Sequence, residues 1–165
     1  MARLGPVAGF GMAPAPVSAG AGVAVGLADA RTSMEVAATT FLPSSHDAQL
    51  GFGGTLWPLA VAAVACEQAW TTSSLHVGGC IGMDYERLQG SSYGVNRPGS
   101  GSADWIAPLL APFVRYDLTP VLSIALRPDV TFPLRAPTFS LGGVGRIYAV
   151  SAVEMRTWLG VELRL

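Results

Sequence analysis

Two cysteines, two histidines and a mixed set of arginines and carboxylates are the residues of this 165-residue chain with chemistry to offer. Cys66 and Cys80 are the only cysteines. If the segment between them is a hairpin centred on Ser73, they stand directly opposite, where cross-strand Cβ spacing suits a disulfide. That bond requires an oxidising compartment; the alternative is a pair of buried free thiols. Neither cysteine has a histidine at ligand spacing, so no metal site is expected. His46 lies in Pro43-Ser-Ser-His-Asp47, expected to be a polar loop, and His76 stands at the start of a later segment, after Ser74. Ser74, His76 and Glu86 contain the residue types of a hydrolase, but such triads are set by geometry and no motif marks one here. Gly78 and Gly79, like Gly142, Gly143 and Gly145, are not followed by Lys-Ser/Thr, so they form no phosphate loop. No catalytic residue and no cofactor is assigned.

The charged residues are more informative. Glu35, Asp84, Glu86, Arg115, Asp117, Arg127, Asp129, Glu154, Arg156, Glu162 and Arg164 all fall on the polar row of segments whose other row is apolar. The clearest segment is the last. Thr157, Leu159, Val161, Leu163 and Leu165 alternate there with Arg156, Trp158, Gly160, Glu162 and Arg164. Such alternation predicts a strand that treats its two faces differently. Seven more segments follow the same plan: 3–13, 21–28, 32–42, 50–66, 75–88, 105–118 and 122–135. Segment 50–66 is apolar on both rows, and Leu59 to Trp70 equally suits a short Ala-rich helix. Short turns are expected at Asp29–Arg31 and Asp117–Pro120, and long loops at Gln89–Asp104 and Ala136–Val153. The predicted fold is all-β, a single domain over residues 1–165 built as an antiparallel up-and-down barrel of about eight strands.

Composition bears on where such a barrel would live. Hydrophobic residues make up 50% of the chain, charged ones 13%, and mean hydropathy is +0.43. No apolar run reaches the ~18 residues a membrane helix needs. An apolar surplus spread over alternating strands is the signature of a membrane barrel. It also fits an apolar soluble barrel that binds a small apolar ligand, because periodicity does not say which row faces inward. All ten basic residues are arginine and net charge is −1, which argues against nucleic acid as a partner. With the apolar rows against lipid, the eleven charges would line the lumen as a mixed-sign network, with both signs able to pair. The small residues of the second segment would leave room for long Arg and Glu side chains. Trp57, Tyr85, Trp105, Tyr116 and Trp158 would supply a partial aromatic belt. Pro58, Pro108, Pro112, Pro128 and Pro133 fall within strands, where each removes a ladder hydrogen bond. The opening Met-Ala-Arg-Leu-Gly-Pro lacks the layout of a signal peptide and reads as strand. For an exported protein, that start is expected to be a mature form or to lie downstream of the true one.

Gly160-Val-Glu-Leu-Arg-Leu165, the eight alternating segments and the short and long connections together resemble the small eight-stranded, OmpA/OmpX-like outer-membrane barrels of Gram-negative bacteria. The chain also looks like uncharacterised bacterial envelope proteins with a cysteine pair across the fourth hairpin connection. It departs from the barrel pattern in its strand prolines, its opening residues and Leu165 in place of a final aromatic. The resemblance implies membrane lipid as partner and an outer-membrane location. It further implies a non-enzymatic structural or surface-interaction role through the loops 89–104 and 136–153. A barrel enzyme acting on lipid, built around His76, is a further alternative.

Overall fold

The computed structural model describes residues 1–11, 17–49, 52–94, 99–141 and 145–164. Met12 and Ala13, expected in the first strand, Leu50, Gly142, Gly143 and Leu165 lie outside the described residues. The period-two alternation becomes β-strand throughout: β1 (Ala2–Phe10), β2 (Ser18–Ala28), β3 (Thr32–Phe41), β4 (Ser44–Gln49), β5 (Phe52–Thr71), β6 (Leu75–Tyr93), β7 (Ser100–Asp117), β8 (Leu122–Thr131), β9 (Thr138–Leu141), β10 (Gly145–Ala149) and β11 (Glu154–Leu163).

Neighbouring strands pair antiparallel. β1 pairs with β11, Leu4 opposite Val161, and β3 with β5, Val36 opposite Ala63. The ring β1-β2-β3-β5-β6-β7-β8-β11 therefore closes into an eight-stranded up-and-down barrel. Closure leaves no unpaired edge around the ring itself, the condition for a sheet to sit in hydrocarbon. The helix considered for Leu59 to Trp70 does not form. That stretch lies in β5, where β3 and β6 would otherwise each present an open edge.

Closure also decides which row is inside. Leu4, Val25, Val36, Leu110, Leu126 and Val161 point outward and are exposed, whereas Glu35, Asp84, Arg127, Asp129, Arg156 and Glu162 are buried in the lumen. β1 has 9 residues, β2 11, and β3, β8 and β11 10 each, close to the ~9–11 that carry a tilted strand across a bilayer. β5, β6 and β7, with 20, 19 and 18 residues, are nearly twice as long.

The surplus length changes several expected loops into sheet. Most of the Gln89–Asp104 stretch is a continuation of the β6–β7 ladder, with Ser91 opposite Ser100. The Pro43–Asp47 stretch is not a loop either. β4 resumes the line of β3 after Leu42-Pro43 and pairs with the far end of β5, His46 opposite Gly54. The Ala136–Val153 loop contains the β9–β10 hairpin. At the opposite end, β2–β3, β5–β6 and β7–β8 are joined by the short connections 29–31, 72–74 and 118–121.

Four of the five strand prolines sit where the ladder is already interrupted, whereas Pro108 lies within it, opposite Met83, its carbonyl accepting from the Phe132 N–H. Between Leu110–Val130 and Val114–Leu126, β7 and β8 make no paired register, and Pro112 and Pro128 occupy that gap. Pro58 faces the break between β3 and β4, and Pro133 follows the end of β8. The aromatic belt differs from expectation. Trp57, Tyr85 and Tyr116 are exposed, joined by Trp70, but Trp105 and Trp158 are interior, 5% and 1% exposed. Their odd-even position relative to exposed neighbours places them in the lumen row.

Cys66 and Cys80 are opposite each other on β5 and β6 and form a disulfide, which removes the free-thiol alternative. Both face the lumen beside Ala62, Val64, Leu109, Ala111 and Phe113.

Candidate functional site

The lumen side chains form a ladder of ion pairs along the barrel axis. At the end bearing the short turns, Asp117 closes β7 and gathers four partners. His76 Nε2 lies 2.9 Å from its Oδ2, Ser123 Oγ donates to its Oδ1 at 2.8 Å, and Arg115 and Arg164 approach at 3.3 and 3.4 Å. His76 Nδ1 contacts Gln68 Oε1 at 3.0 Å. Glu162 of β11 accepts from Arg164 Nε at 3.2 Å and sits 3.8 Å from Arg115.

Midway along the barrel, Glu35 of β3 binds two arginines, Arg3 of β1 at 2.5 Å and Arg127 of β8. Arg127 also forks onto Asp129, Nε to Oδ1 at 2.7 Å and Nη2 to Oδ2 at 3.2 Å. Such planar, two-pronged pairing is what an arginine offers and a lysine does not. The guanidiniums of Arg3 and Arg127 lie 5.6 and 5.4 Å from the ring centroid of Trp158, within cation–π range. The room for that ring comes from β2. A Cβ on Gly22 would overlap the Trp158 ring, and one on Gly160 would stand 2.8 Å from the Arg3 stem.

Higher still, Arg156 of β11 pairs with Asp84 of β6 and lies 3.9 Å from Asp129. Thr131 Oγ1 donates to Glu86 at 3.5 Å, and Glu154 is fully buried in the same region of the lumen. The expected network residues are therefore all in the lumen, with Asp117 and Arg164 only half-buried at its end. Arg3 and His76 belong with them and were not assigned to this network from the sequence. Parity alone would have found them, since Arg3 shares the row of Gly5 and Val7, and His76 that of Cys80 and Asp84.

The ladder fills the middle of the barrel. Among Arg3, Glu35, Arg115, Arg127 and Glu162 there remains a cavity of about 20 Å³, room for roughly one water. The far mouth is covered as well. Phe139 and Tyr148 of the β9–β10 hairpin pack on a cluster of Leu56, Leu88, Trp105 and Val150, and the Tyr148 hydroxyl donates to the Gly11 carbonyl at 2.6 Å.

Hydrolase geometry is not assembled. Glu86 is ten residues along β6 from His76, about 34 Å at the usual strand rise. His76 is oriented by Asp117, but Ser123 donates to that carboxylate and not to the imidazole. Ser74 lies in the β5–β6 turn, and its carbonyl accepts from the Asp117 backbone N–H. A nucleophile held by its base, the core of acyl-transfer chemistry, is missing among the described residues. No group of three His, Cys, Asp or Glu among them has the arrangement to hold a metal ion.

No family model and no curated protein matches the chain. Solved structures do match. A major outer membrane protein from Thermus thermophilus superposes with a TM-score of 0.66 at 14% identity, covering 100% of both chains. Ail, the attachment invasion locus protein of Yersinia pestis, gives 0.61 at 12% identity, covering 99% of this chain and 96% of that one. Neisserial surface protein A gives 0.55 at 12% identity, with 99% and 94% covered.

The fold is that of the small outer-membrane β-barrels.

The outer-membrane barrel fold explains the inverted layout. Its outside is apolar because lipid surrounds it, and its inside is charged because Arg and Asp or Glu there meet each other. In barrels of this fold the short turns conventionally face the periplasm; here Met1, Arg164 and the His76–Asp117 cluster share the short-turn end. The β9–β10 hairpin and the long β5–β7 extensions lie at the opposite end, the external one in barrels of this fold.

Proposed function

We propose that this chain is a non-enzymatic outer-membrane barrel whose working part is the sheet projecting from its external end. The observation that carries this reading is the unequal strand length. β1, β2, β3, β8 and β11 stop near the membrane boundary, while β5, β6 and β7 continue together and take β4 along. Among the described residues, β4 has no partner on its far side. β7 has none from Ser100 to Asp104, and the nearest bond from the segment after β8 is Leu134 N–H to the Ile106 carbonyl.

Open edges of this kind offer backbone N–H and C=O groups to an extended segment of another protein. A barrel whose lumen is filled by paired charges has little to offer as a pore, so the purpose of its length is sought outside. The name of Ail, an attachment protein, describes a neighbour of the same fold. Attachment is the class of role favoured here, with an extended peptide segment as the partner.

The test is a screen of extended peptides against protein held in lipid bilayers, followed by Ser102→Pro on the β7 edge and replacement of residues 90–101 by a two-residue turn. Peptide binding that disappears in both variants, with the barrel still folded, is the expected result. Binding that survives the loss of the projecting tip would overturn the reading.

A further inference from the structure

On the outside of the barrel, at its periplasmic rim, the apolar surface is grooved. Four strands contribute, and the register fixes the shape. Ala65 of β5 stands between Met34 of β3 and Ile81 of β6, and Glu67 stands between Thr32 and Gly79. Leu27 of β2 is opposite Met34. Ala65 and Gly79 thus form a low floor with Leu27 and Met34 as one wall and Ile81 as the other. A Cβ added to Gly79 would meet nothing within 4 Å. The groove holds about 620 Å³, within the roughly 300–1,000 Å³ of small-molecule sites.

Its position makes it unusual. A groove in this band is filled by lipid, and here charge gathers where its mouth reaches the membrane surface. Glu67 and Asp29 line that mouth. Glu67 is exposed and makes no ion pair among the described residues, and Asp29 accepts only from the Ala30 N–H of its own turn. Arg31 is exposed in the same turn, and its carbonyl accepts from the N–H of Gln68, the residue after Glu67. Two carboxylates and one guanidinium match a head group that carries a primary ammonium and one phosphate. They repel a head group that carries phosphate alone.

We propose that this groove is a lipid site that seats one acyl chain of an aminophospholipid from the periplasmic leaflet, with Asp29 and Glu67 receiving its ammonium and Arg31 its phosphate. The site rests on the membrane placement argued above. Failure of that placement would show separately, as a protein that folds and stays monomeric without detergent.

The experiment is native mass spectrometry of the refolded protein in detergent, offered equal phosphatidylethanolamine and phosphatidylglycerol. A heat-dependent gel shift is checked first for every variant. The unmodified protein is expected to retain phosphatidylethanolamine at least fivefold over phosphatidylglycerol. Gly79→Trp, which fills the floor, is expected to remove both adducts. The surface pair Asp29→Asn and Glu67→Gln, which leaves the barrel interior untouched, is expected to keep the adducts and bring the two lipids to parity. Equal retention by the unmodified protein, an adduct that survives Gly79→Trp in a folded barrel, or a preference that persists in the double variant would each overturn the proposal.

Discussion

Arg127 shows how individual side chains hold this barrel together. It touches Glu35, Asp129 and the face of Trp158 while only 1% exposed. Removing one member of a buried pair leaves an uncompensated charge and costs about 3–5 kcal/mol. Arg127→Leu is therefore expected to lower the unfolding free energy by that amount in urea titrations of the lipid-embedded protein. Replacing Glu35 and Arg127 together by Leu is expected to recover part of the loss, because no charge is stranded. Gly22 is a second sensitive position. Any side chain there collides with the Trp158 ring, so Gly22→Leu is expected to give no heat-dependent gel shift, whereas Ala21→Leu, on the outward row, is expected to fold normally. Outside, the sign of preference reverses. Leu126→Arg puts a charge against lipid and is expected to cost about 2–4 kcal/mol in the same titration.

Among the strands, the long β5–β6 hairpin carries the only covalent tie. The Cys66–Cys80 bridge has a sequence separation of 14, for which chain-entropy arguments give at most about 3 kcal/mol. Since β5 and β6 are paired over almost their whole length, the bridge is expected to add to stability and not to be required for folding. Cys66→Ser with Cys80→Ser should still give the heat-dependent shift, at a lower urea midpoint. Reductant should lower the midpoint of the unmodified protein only. Seven of the eight barrel strands, and the row each of their residues occupies, were readable from alternation; β5, apolar on both rows, was not. Nor were the strand ends. Polar and glycine-rich stretches such as Gln89 to Asp104 look like loop in the sequence because no apolar row continues through them. In the fold they pair beyond the ends of the shorter strands, where neither face needs to be apolar.

Taken as a whole, the molecule is a closed, filled cylinder with an asymmetric crown. Ion pairs block the lumen from Asp117 to Asp84, and the β9–β10 hairpin covers the external mouth. No steady conductance is expected in planar bilayers. Deleting residues 138–149 should leave it closed, because the ladder beneath remains; a stable open channel in either protein would contradict a filled lumen.

Much of this architecture was written in local pattern. The eight alternating segments, the sorting of eleven charges onto one row and the opposition of Cys66 to Cys80 each depend on parity along a strand, which a sequence carries directly. Parity is silent on which row is the inside. A soluble barrel and a membrane barrel share the same alternation with opposite faces, and only closure of β1 on β11 and β3 on β5 put Arg127, Asp129 and Glu35 together and Leu126 and Val161 outward. The partners within the lumen were likewise beyond reach. Arg156 meets Asp84 across 72 residues of chain, and that meeting depends on strand tilt and stagger around the ring, quantities that belong to the closed sheet and to no single strand.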